Sequence, residues 1–271
     1  MLVNEGSNQP LLDAINHRTR YIAESLGELS DDQLHRKSEL PQWSRLTIAC
    51  HLRFGAEALN RMTSSVLKRL PTAYYPEGRA RQRPQTLVPR AGESPRSVVK
   101  SLAHLSEELN GQWSTLDSDA WDIDVVEPPE NPDLGPLPLR ALPLLRLTEV
   151  EVHGGDLGLN LADWSPIFVE AALPMRLEWL NLRRANHRAF DVRLEGSWLL
   201  VATDGPTYRV SVDGQSVTSR SAPPDAEARA TIQATSRDLL ALLLGRTLQN
   251  PPVFLGDIAF GRSFSRAFPG P

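Results

Sequence analysis

The sequence predicts two domains, an antiparallel bundle of four long helices over residues 1–162 and a smaller α+β domain with an antiparallel sheet over residues 163–271. Two patterns predict this fold class. Through the first domain, apolar residues recur at the three- and four-residue intervals of helices with one buried face. In the second domain, short alternating segments are separated by turn pairs such as Asp204-Gly205 and Asp213-Gly214, which are strong hairpin signals.

Each long helix of the first domain shows an apolar stripe. The four helices are predicted over residues 11–27, 45–68, 95–116 and 141–154. Ser94 and Pro95 suit the N-cap and first position of the third helix, and Ser30 opens a short turn with a capping box between the first two. The segments 71–95 and 125–138 are rich in proline, so we predict that both are connections.

The second domain is predicted to begin with a helix over Pro166–Arg184. Strands are expected over residues 190–194, 198–201, 208–212, 217–219 and 228–232. Thr235 then suits the cap of a very apolar helix, 239–244, which Gly245 ends. The pair Gly256-Asp257 opens a final short helix.

Composition and charge exclude several classes of protein. Hydrophobic residues make up 41% and charged residues 23%, as in soluble globular domains, and a net charge of −4 argues against general nucleic-acid binding. No apolar run approaches the ~20 residues of a membrane span, and the first ten residues do not resemble a secretory signal. The single cysteine, Cys50, fits a reducing, cytoplasmic setting and is expected to be a buried side chain rather than a nucleophile.

The candidate site lies on the fourth helix. Glu149 and His153 are four residues apart, so their side chains share one helix face, where they could bind one divalent metal or form a solvated pair. His51, on the second helix, is the nearest candidate for a third ligand. Three protein ligands leave one coordination position for water or substrate, as in catalytic zinc sites. Asp156 could orient the imidazole of His153.

A second candidate feature is the basic run from Arg79 to Arg83, within the first proline-rich connection. The run could be a solvated loop. It could also be an anion-binding arm over the metal cleft, because guanidinium groups pair with carboxylates in bidentate fashion.

Several segments together point to a family. They are Trp43 with His51 eight residues later, Glu149-x-x-x-His153 with Asp156-Leu157, Asp238-Leu239-Leu240, Gly245-Arg246 and Gly256-Asp257. This combination resembles the mycothiol-dependent maleylpyruvate isomerase family of DinB-like metalloenzymes. The resemblance implies a DinB-like N-terminal helical bundle that binds a metal, followed by a C-terminal domain similar to sterol carrier proteins.

The resemblance also implies residue roles. It implies that His51, Glu149 and His153 bind a divalent metal, zinc, and that mycothiol is the thiol cosubstrate. Arg246 resembles an arginine that reaches the active site from the second domain, and Arg79 resembles a substrate-cleft arginine. Both arginines would bind anionic groups of substrate or mycothiol. Without the resemblance, Arg246 is better explained as a cation at a helix C-terminus.

From these observations we expect a mycothiol S-transferase, which adds the thiol to an electrophilic small molecule in a natural-product or detoxification pathway. The first alternative is cis–trans isomerisation of maleylpyruvate, in which the thiol is released again. Two further alternatives are a metal–water hydrolase and a non-catalytic protein that binds lipid or another small molecule. Neither a nucleic-acid nor a membrane partner is expected, and the sequence leaves open a monomer or a homodimer.

Overall fold

The structure is a computed structural model that describes residues 8–131, 135, 137–186, 194–214 and 216–270, without the side chains of 181–186. Its described residues form two compact units that divide between Phe168 and Val169. Helices dominate the first unit, and a sheet forms the centre of the second. No helix within the described ranges is both long and apolar enough to cross a membrane.

The first unit contains seven α-helices within the described residues. They are α1 (Gln9–Gly27), α2 (Asp31–His35), α3 (Arg45–Leu67), α4 (Arg79–Thr86), α5 (Pro95–Ser114), α6 (Ser118–Trp121) and α7 (Leu142–Asp156). Two short strands, β1 (Asp124–Val125) and β2 (Leu137–Pro138), form an antiparallel pair before α7. The four long helices begin and end within two residues of their predicted bounds. Helix α1 packs against α5 and α7, and α3 packs against the same two helices.

Serine caps explain where three of these helices begin, and those of Ser30 and Ser94 were predicted. The Ser44 and Ser94 hydroxyls accept hydrogen bonds from the main-chain N–H groups of Thr47 and Ser97, which lie too close to the helix start to have the usual i−4 carbonyl partner. Ser30 forms the expected capping box at the start of α2. The faces of α3 and α5 that pack together are largely apolar. Trp113 of α5 is buried there and donates its indole N–H to the Thr63 hydroxyl of α3.

One predicted connection contains a helix. Helix α4 lies inside the proline-rich segment 71–95, with Pro84 six residues into it. Pro84 has no main-chain N–H, so α4 loses one main-chain hydrogen bond at that position. The N–H groups of the first four residues of any helix have no internal partner, and Pro84 lies shortly after them. The basic run Arg79–Arg83 is therefore helical, and its first and last arginines lie one turn apart.

The second unit combines one long helix, a five-stranded sheet and three short helices. Its elements are α8 (Pro166–Asn186), β3 (Gly196–Ala202), β4 (Thr207–Asp213), β5 (Ser216–Ser221), β6 (Ala230–Ala234), α9 (Ser236–Leu244), β7 (Val253–Gly256), α10 (Ile258–Arg262) and α11 (Phe264–Ala267). The strand order is β5-β4-β3-β6-β7. Trp198 of β3 lies in the core and stacks on Phe260, with ring centroids 4.2 Å apart.

The prediction of an antiparallel sheet is wrong at one pair. Strands β3 and β6 are parallel, with Leu200 opposite Ile232, while the other three pairs are antiparallel. After β5 the chain crosses to the free edge of β3, and a crossover of this kind allows parallel pairing. The edge strand β7 was not predicted. A strand was also predicted over residues 190–194, of which 190–193 lie outside the described residues.

Candidate metal centre

Three side chains from two helices converge in the first unit. Helix α7 presents Glu149 and His153 on one face, and α3 packs against it and contributes His51. One ligand atom from each of the three lies within 4.8 Å of the other two. The His51 Nε2 atom is 2.7 Å from Glu149 Oε2, and His153 Nε2 is 3.5 Å from the same oxygen. Donors bound tetrahedrally at ~2.0–2.1 Å lie about 3.3 Å apart, so these positions suit one zinc-sized cation.

The protonation states also suit a metal. Burial lowers the pKa of His51, which favours the neutral imidazole that a metal requires. Burial alone would raise the pKa of Glu149. The hydrogen bond from His51 and the nearby positive charges outweigh that effect and lower the pKa of Glu149 to about 2. At neutral pH the pair therefore offers a neutral nitrogen and an ionised carboxylate.

Asp156 holds His153 from the opposite side. Its Oδ2 atom lies 2.9 Å from His153 Nδ1, and the carboxylate is buried. A carboxylate there accepts a hydrogen bond from Nδ1–H, which favours the tautomer of His153 with an unprotonated Nε2 facing Glu149. The structure therefore places Asp156 where the sequence predicted, next to the imidazole it is expected to orient.

The three candidate ligands are unequally exposed. The side chains of His51 and His153 are 10% and 14% exposed, whereas that of Glu149 is 40% exposed. Protein therefore covers both imidazoles, and the carboxylate is the most solvent-exposed of the three. The indole ring of Trp43 forms part of that cover, because it lies against both imidazoles.

Arg146 is a buried cation one turn before Glu149. Its guanidinium is fully buried and donates to the Leu52 carbonyl oxygen and to Ser106 Oγ. Burial lowers the pKa of Arg146 to about 10, while Tyr74 and Glu149 act in the opposite direction. Arg146 thus remains charged at neutral pH and helps to keep Glu149 ionised. No sequence pattern pointed to a role for this residue.

Among the arginines of α4, Arg83 has an electrostatic effect on a candidate ligand. Its positive charge contributes to lowering the pKa of His51, after the larger effect of burial. Its buried Nε has no hydrogen-bond partner within the described part of the chain. Arg79, the arginine named by resemblance, is exposed at the start of α4, with its guanidinium carbon 5.5 Å from the Tyr75 ring centroid. The i, i+4 spacing of the two arginines would place them on one helix face, but the prolines of the segment indicate a connection.

Helix α3 anchors the chain on both sides of α4. On the N-terminal side, Arg61 donates to the Ala73 and Tyr74 carbonyl oxygens. On the C-terminal side, Arg53 Nη1 lies 2.5 Å from Glu93 Oε2, and the Arg53 side chain is buried while that of Glu93 is partly buried. A second pair, Arg90 with Glu57, lies one turn along α3. Four contacts to α3, the helix that carries His51, therefore fix the position of the segment that contains α4.

The two remaining residues considered from the sequence are Arg246 and Cys50. Arg246 belongs to the second unit, follows Gly245 in its left-handed conformation, and donates its Nη1 proton to the Leu244 carbonyl oxygen. That contact is the expected one for a cation at a helix C-terminus. Cys50 is confirmed as a buried side chain, and burial raises its thiol pKa to about 11.

Comparisons with known proteins agree with the geometry. The crystal structure of the mycothiol-dependent maleylpyruvate isomerase superposes with a TM-score of 0.67 at 17% sequence identity, covering 92% of this chain and 93% of that one. A mutant of that isomerase, with one histidine replaced by alanine, gives a TM-score of 0.66 at the same identity and coverage. At this identity the likeness shows a shared fold. A search of curated proteins gave no match. The family model described as the mycothiol maleylpyruvate isomerase N-terminal domain matches residues 15–158, more than half of the sequence, and the chain therefore belongs to that family.

Proposed function

We propose that this protein is a metal-dependent enzyme that uses mycothiol to isomerise maleylpyruvate, or a compound of that type, from cis to trans. The observation that carries the proposal is the convergence of His51, Glu149 and His153 in a chain of this family. The first unit would be a DinB-like four-helix bundle and the second a sterol-carrier-like domain.

The three ligands and Asp156 have distinct parts in this proposal. His51 and His153 would bind the cation through Nε2, and Glu149 through its carboxylate. Asp156 would keep the proton of His153 on Nδ1. A divalent cation, zinc in this proposal, would favour the thiolate form of mycothiol, since a free thiol has a pKa of ~8.5 and only the thiolate is nucleophilic.

The arginines would recognise negative charge on the substrate. Maleylpyruvate carries carboxylates, and guanidinium groups bind carboxylates through paired, charge-assisted hydrogen bonds. Arg83 is the first candidate for two reasons. Its positive charge contributes to lowering the pKa of His51, and its buried Nε has no hydrogen-bond partner within the described residues. Arg79 shares the helix, and Arg246 remains a candidate by resemblance. All three roles are part of the proposal.

The comparisons favour isomerisation over the S-transfer expected from sequence, because both the family description and the similar solved structures name an isomerase. S-transfer remains the alternative, since both reactions begin with attack of a thiolate on an electrophilic carbon. They differ in the fate of the thiol. Isomerisation returns it after rotation about the former double bond, whereas transfer leaves it bonded to the product.

One experiment separates these functions. Zinc-loaded protein is mixed with mycothiol and maleylpyruvate, the cis and trans products are resolved by chromatography, and free thiol is titrated over time. We expect trans product with unchanged free thiol, and no product from Glu149→Gln. Loss of one thiol per product molecule would establish S-transfer instead. Turnover without thiol would indicate a hydrolase, and bound lipid in protein that takes up no metal would favour a carrier.

A further inference from the structure

Trp43 completes a cluster of three rings at the candidate metal centre. Its indole is nearly parallel to the His153 imidazole, with centroids 5.8 Å apart and planes inclined by 14°. It meets His51 edge to face at 5.5 Å and 74°. The two imidazoles are themselves 4.8 Å apart and almost perpendicular, at 88°. Each ring therefore contacts the other two, and a rotation of either imidazole would disturb the indole.

The main chain holds Trp43 on both sides. Its N–H donates to the Leu40 carbonyl oxygen, and its own carbonyl oxygen accepts from both the N–H and the hydroxyl of Ser38. Gln42, the preceding residue, has a φ of 68°, which is unusual for a residue with a side chain. Ser44, the next residue, caps α3. The indole is thus presented by a tight turn joined directly to the helix that carries His51.

The same turn is tied to the residue that orients His153. The main-chain N–H of Glu39 donates to the Asp156 carbonyl oxygen over 2.8 Å. The carboxylate of Asp156 holds His153 at Nδ1, while Trp43 covers a ring face. His153 is therefore restrained by a hydrogen bond to Asp156 and by stacking against Trp43. The Glu39–Asp156 main-chain hydrogen bond links the two restraining residues.

An ordinary core role does not account for Trp43. Core tryptophans of this protein, such as Trp113 and Trp198, are almost fully buried, whereas Trp43 is half-buried. It lies before the helix and outside its apolar stripe. Its ring contacts are with the two imidazoles.

We propose that Trp43 is a positioning residue of the metal centre. It fixes the planes of both imidazoles so that their Nε2 atoms face Glu149, and it excludes water from the imidazole side, which leaves approach past the carboxylate. This role rests on the proposed function, because it requires a cation at the three ligands. Outer partners of metal ligands change metal affinity by roughly 10–100-fold when they are removed, and we expect an effect of that size.

Cobalt binding tests the proposal without relying on catalysis. Co²⁺ is titrated into metal-free wild type, Trp43→Leu and Trp43→Phe, and its affinity and visible absorption spectrum are recorded. Trp121→Leu is the matched control, since Trp121 is also half-buried but packs against Trp113. We expect Trp43→Leu to weaken cobalt binding by roughly 10–100-fold and to alter the spectrum. Trp43→Phe should restore most of the affinity, because a ring can still stack on His153, and Trp121→Leu should match wild type.

Tryptophan fluorescence supplies a second measurement if Trp43→Leu fails to fold. Cobalt should quench wild-type emission through the indole beside the site, and Trp43→Phe should lose much of that quenching. Cobalt affinity within twofold of wild type in Trp43→Leu, with an unchanged spectrum, would overturn the proposal. So would equal weakening in Trp121→Leu, or undiminished quenching in Trp43→Phe. Wild type that binds no cobalt would instead overturn the metal centre itself, and this role with it.

Discussion

His51 Nε2 lies 2.7 Å from Glu149 Oε2 although 98 residues separate the two in sequence. The contact exists because α3 and α7 pack side by side, so the candidate ligands meet only in the folded chain. A cation that binds the folded chain and not the unfolded one stabilises the fold in proportion to its affinity and concentration. Metal binding at this site should therefore be measurable both directly and as a shift in melting temperature.

Removal of a single ligand should abolish tight metal binding. We expect His51→Ala and Glu149→Gln to lose at least 100-fold in zinc affinity, because two ligands remain where three are needed for a catalytic site. Competition with a chromophoric chelator measures the affinity. The control is His104→Ala, since His104 and Glu108 form another pair four residues apart, exposed on α5. Equal zinc affinity in wild type and Glu149→Gln would contradict the ligand set.

Asp156→Asn tests the support of His153 separately from ligation. The amide can still accept a hydrogen bond, but the negative charge beside the imidazole is lost, so we expect zinc affinity to fall by about tenfold. Asp119→Asn, at an exposed position of α6, is the control. If Asp156→Asn binds zinc within twofold of wild type, the carboxylate has no orienting role.

The sequence predicted the parts of this site that depend on local spacing. Glu149, His153 and Asp156 lie on one helix, so their proximity follows from helical geometry, whereas His51 was chosen as the nearest candidate on another predicted helix. Arg83 lies in the basic run for which the sequence predicts either a solvated loop or an anion-binding arm, but no local pattern distinguishes it from the other arginines of the run. The packing of Trp43 on both imidazoles and the parallel pairing of β3 with β6 depend on contacts between distant segments, which no local pattern encodes.

The three arginines of α4 should differ in their effect on an anionic substrate. We expect Arg83→Ala to raise KM for maleylpyruvate about tenfold or more, because loss of a hydrogen bond to a charged group costs about 1.5–3 kcal/mol. Arg81→Ala should have no effect, since Arg81 is 76% exposed and pairs with Glu77. Steady-state kinetics on Arg79→Ala decides between Arg79, which the resemblance suggests, and Arg83, whose charge affects the pKa of His51. A larger KM change in Arg79→Ala than in Arg83→Ala would contradict our assignment.

Cys50 should be chemically inert in the folded protein. It is fully buried, and burial raises its pKa to about 11, so the thiol stays protonated below that pH. We expect less than one-tenth of the thiol to react with a disulfide reagent at pH 8 during the time in which urea-unfolded protein reacts completely. Cys50→Ala should keep its mycothiol-dependent activity. Rapid labelling of Cys50 in the folded protein, together with loss of activity in Cys50→Ala, would indicate that the cysteine is a nucleophile.

Asp238 should make the second unit sensitive to acid. This buried carboxylate accepts hydrogen bonds from the main-chain N–H groups of Gln249 and Asn250, and so fixes the segment that follows Arg246. Burial acts to raise the pKa of Asp238, but these hydrogen bonds outweigh burial and lower it below its usual 3.8. A carboxyl whose pKa is lower in the folded than in the unfolded state stabilises the fold above the unfolded pKa. That stabilisation is lost as the pH falls through the folded pKa.

Asp238→Asn should therefore reduce the free energy of unfolding by about 1–3 kcal/mol at pH 7, the cost of leaving buried hydrogen-bonding groups unsatisfied. The difference from wild type should shrink as the pH falls below 3.8, because protonation removes the same charge from wild-type Asp238. Urea unfolding at pH 7, 5 and 3, followed by the fluorescence of the second unit's buried Trp198, measures this change. Asp213→Asn, at an exposed strand end, is the control. A deficit of the same size at all three pH values would show that the charge of Asp238 does not contribute to stability.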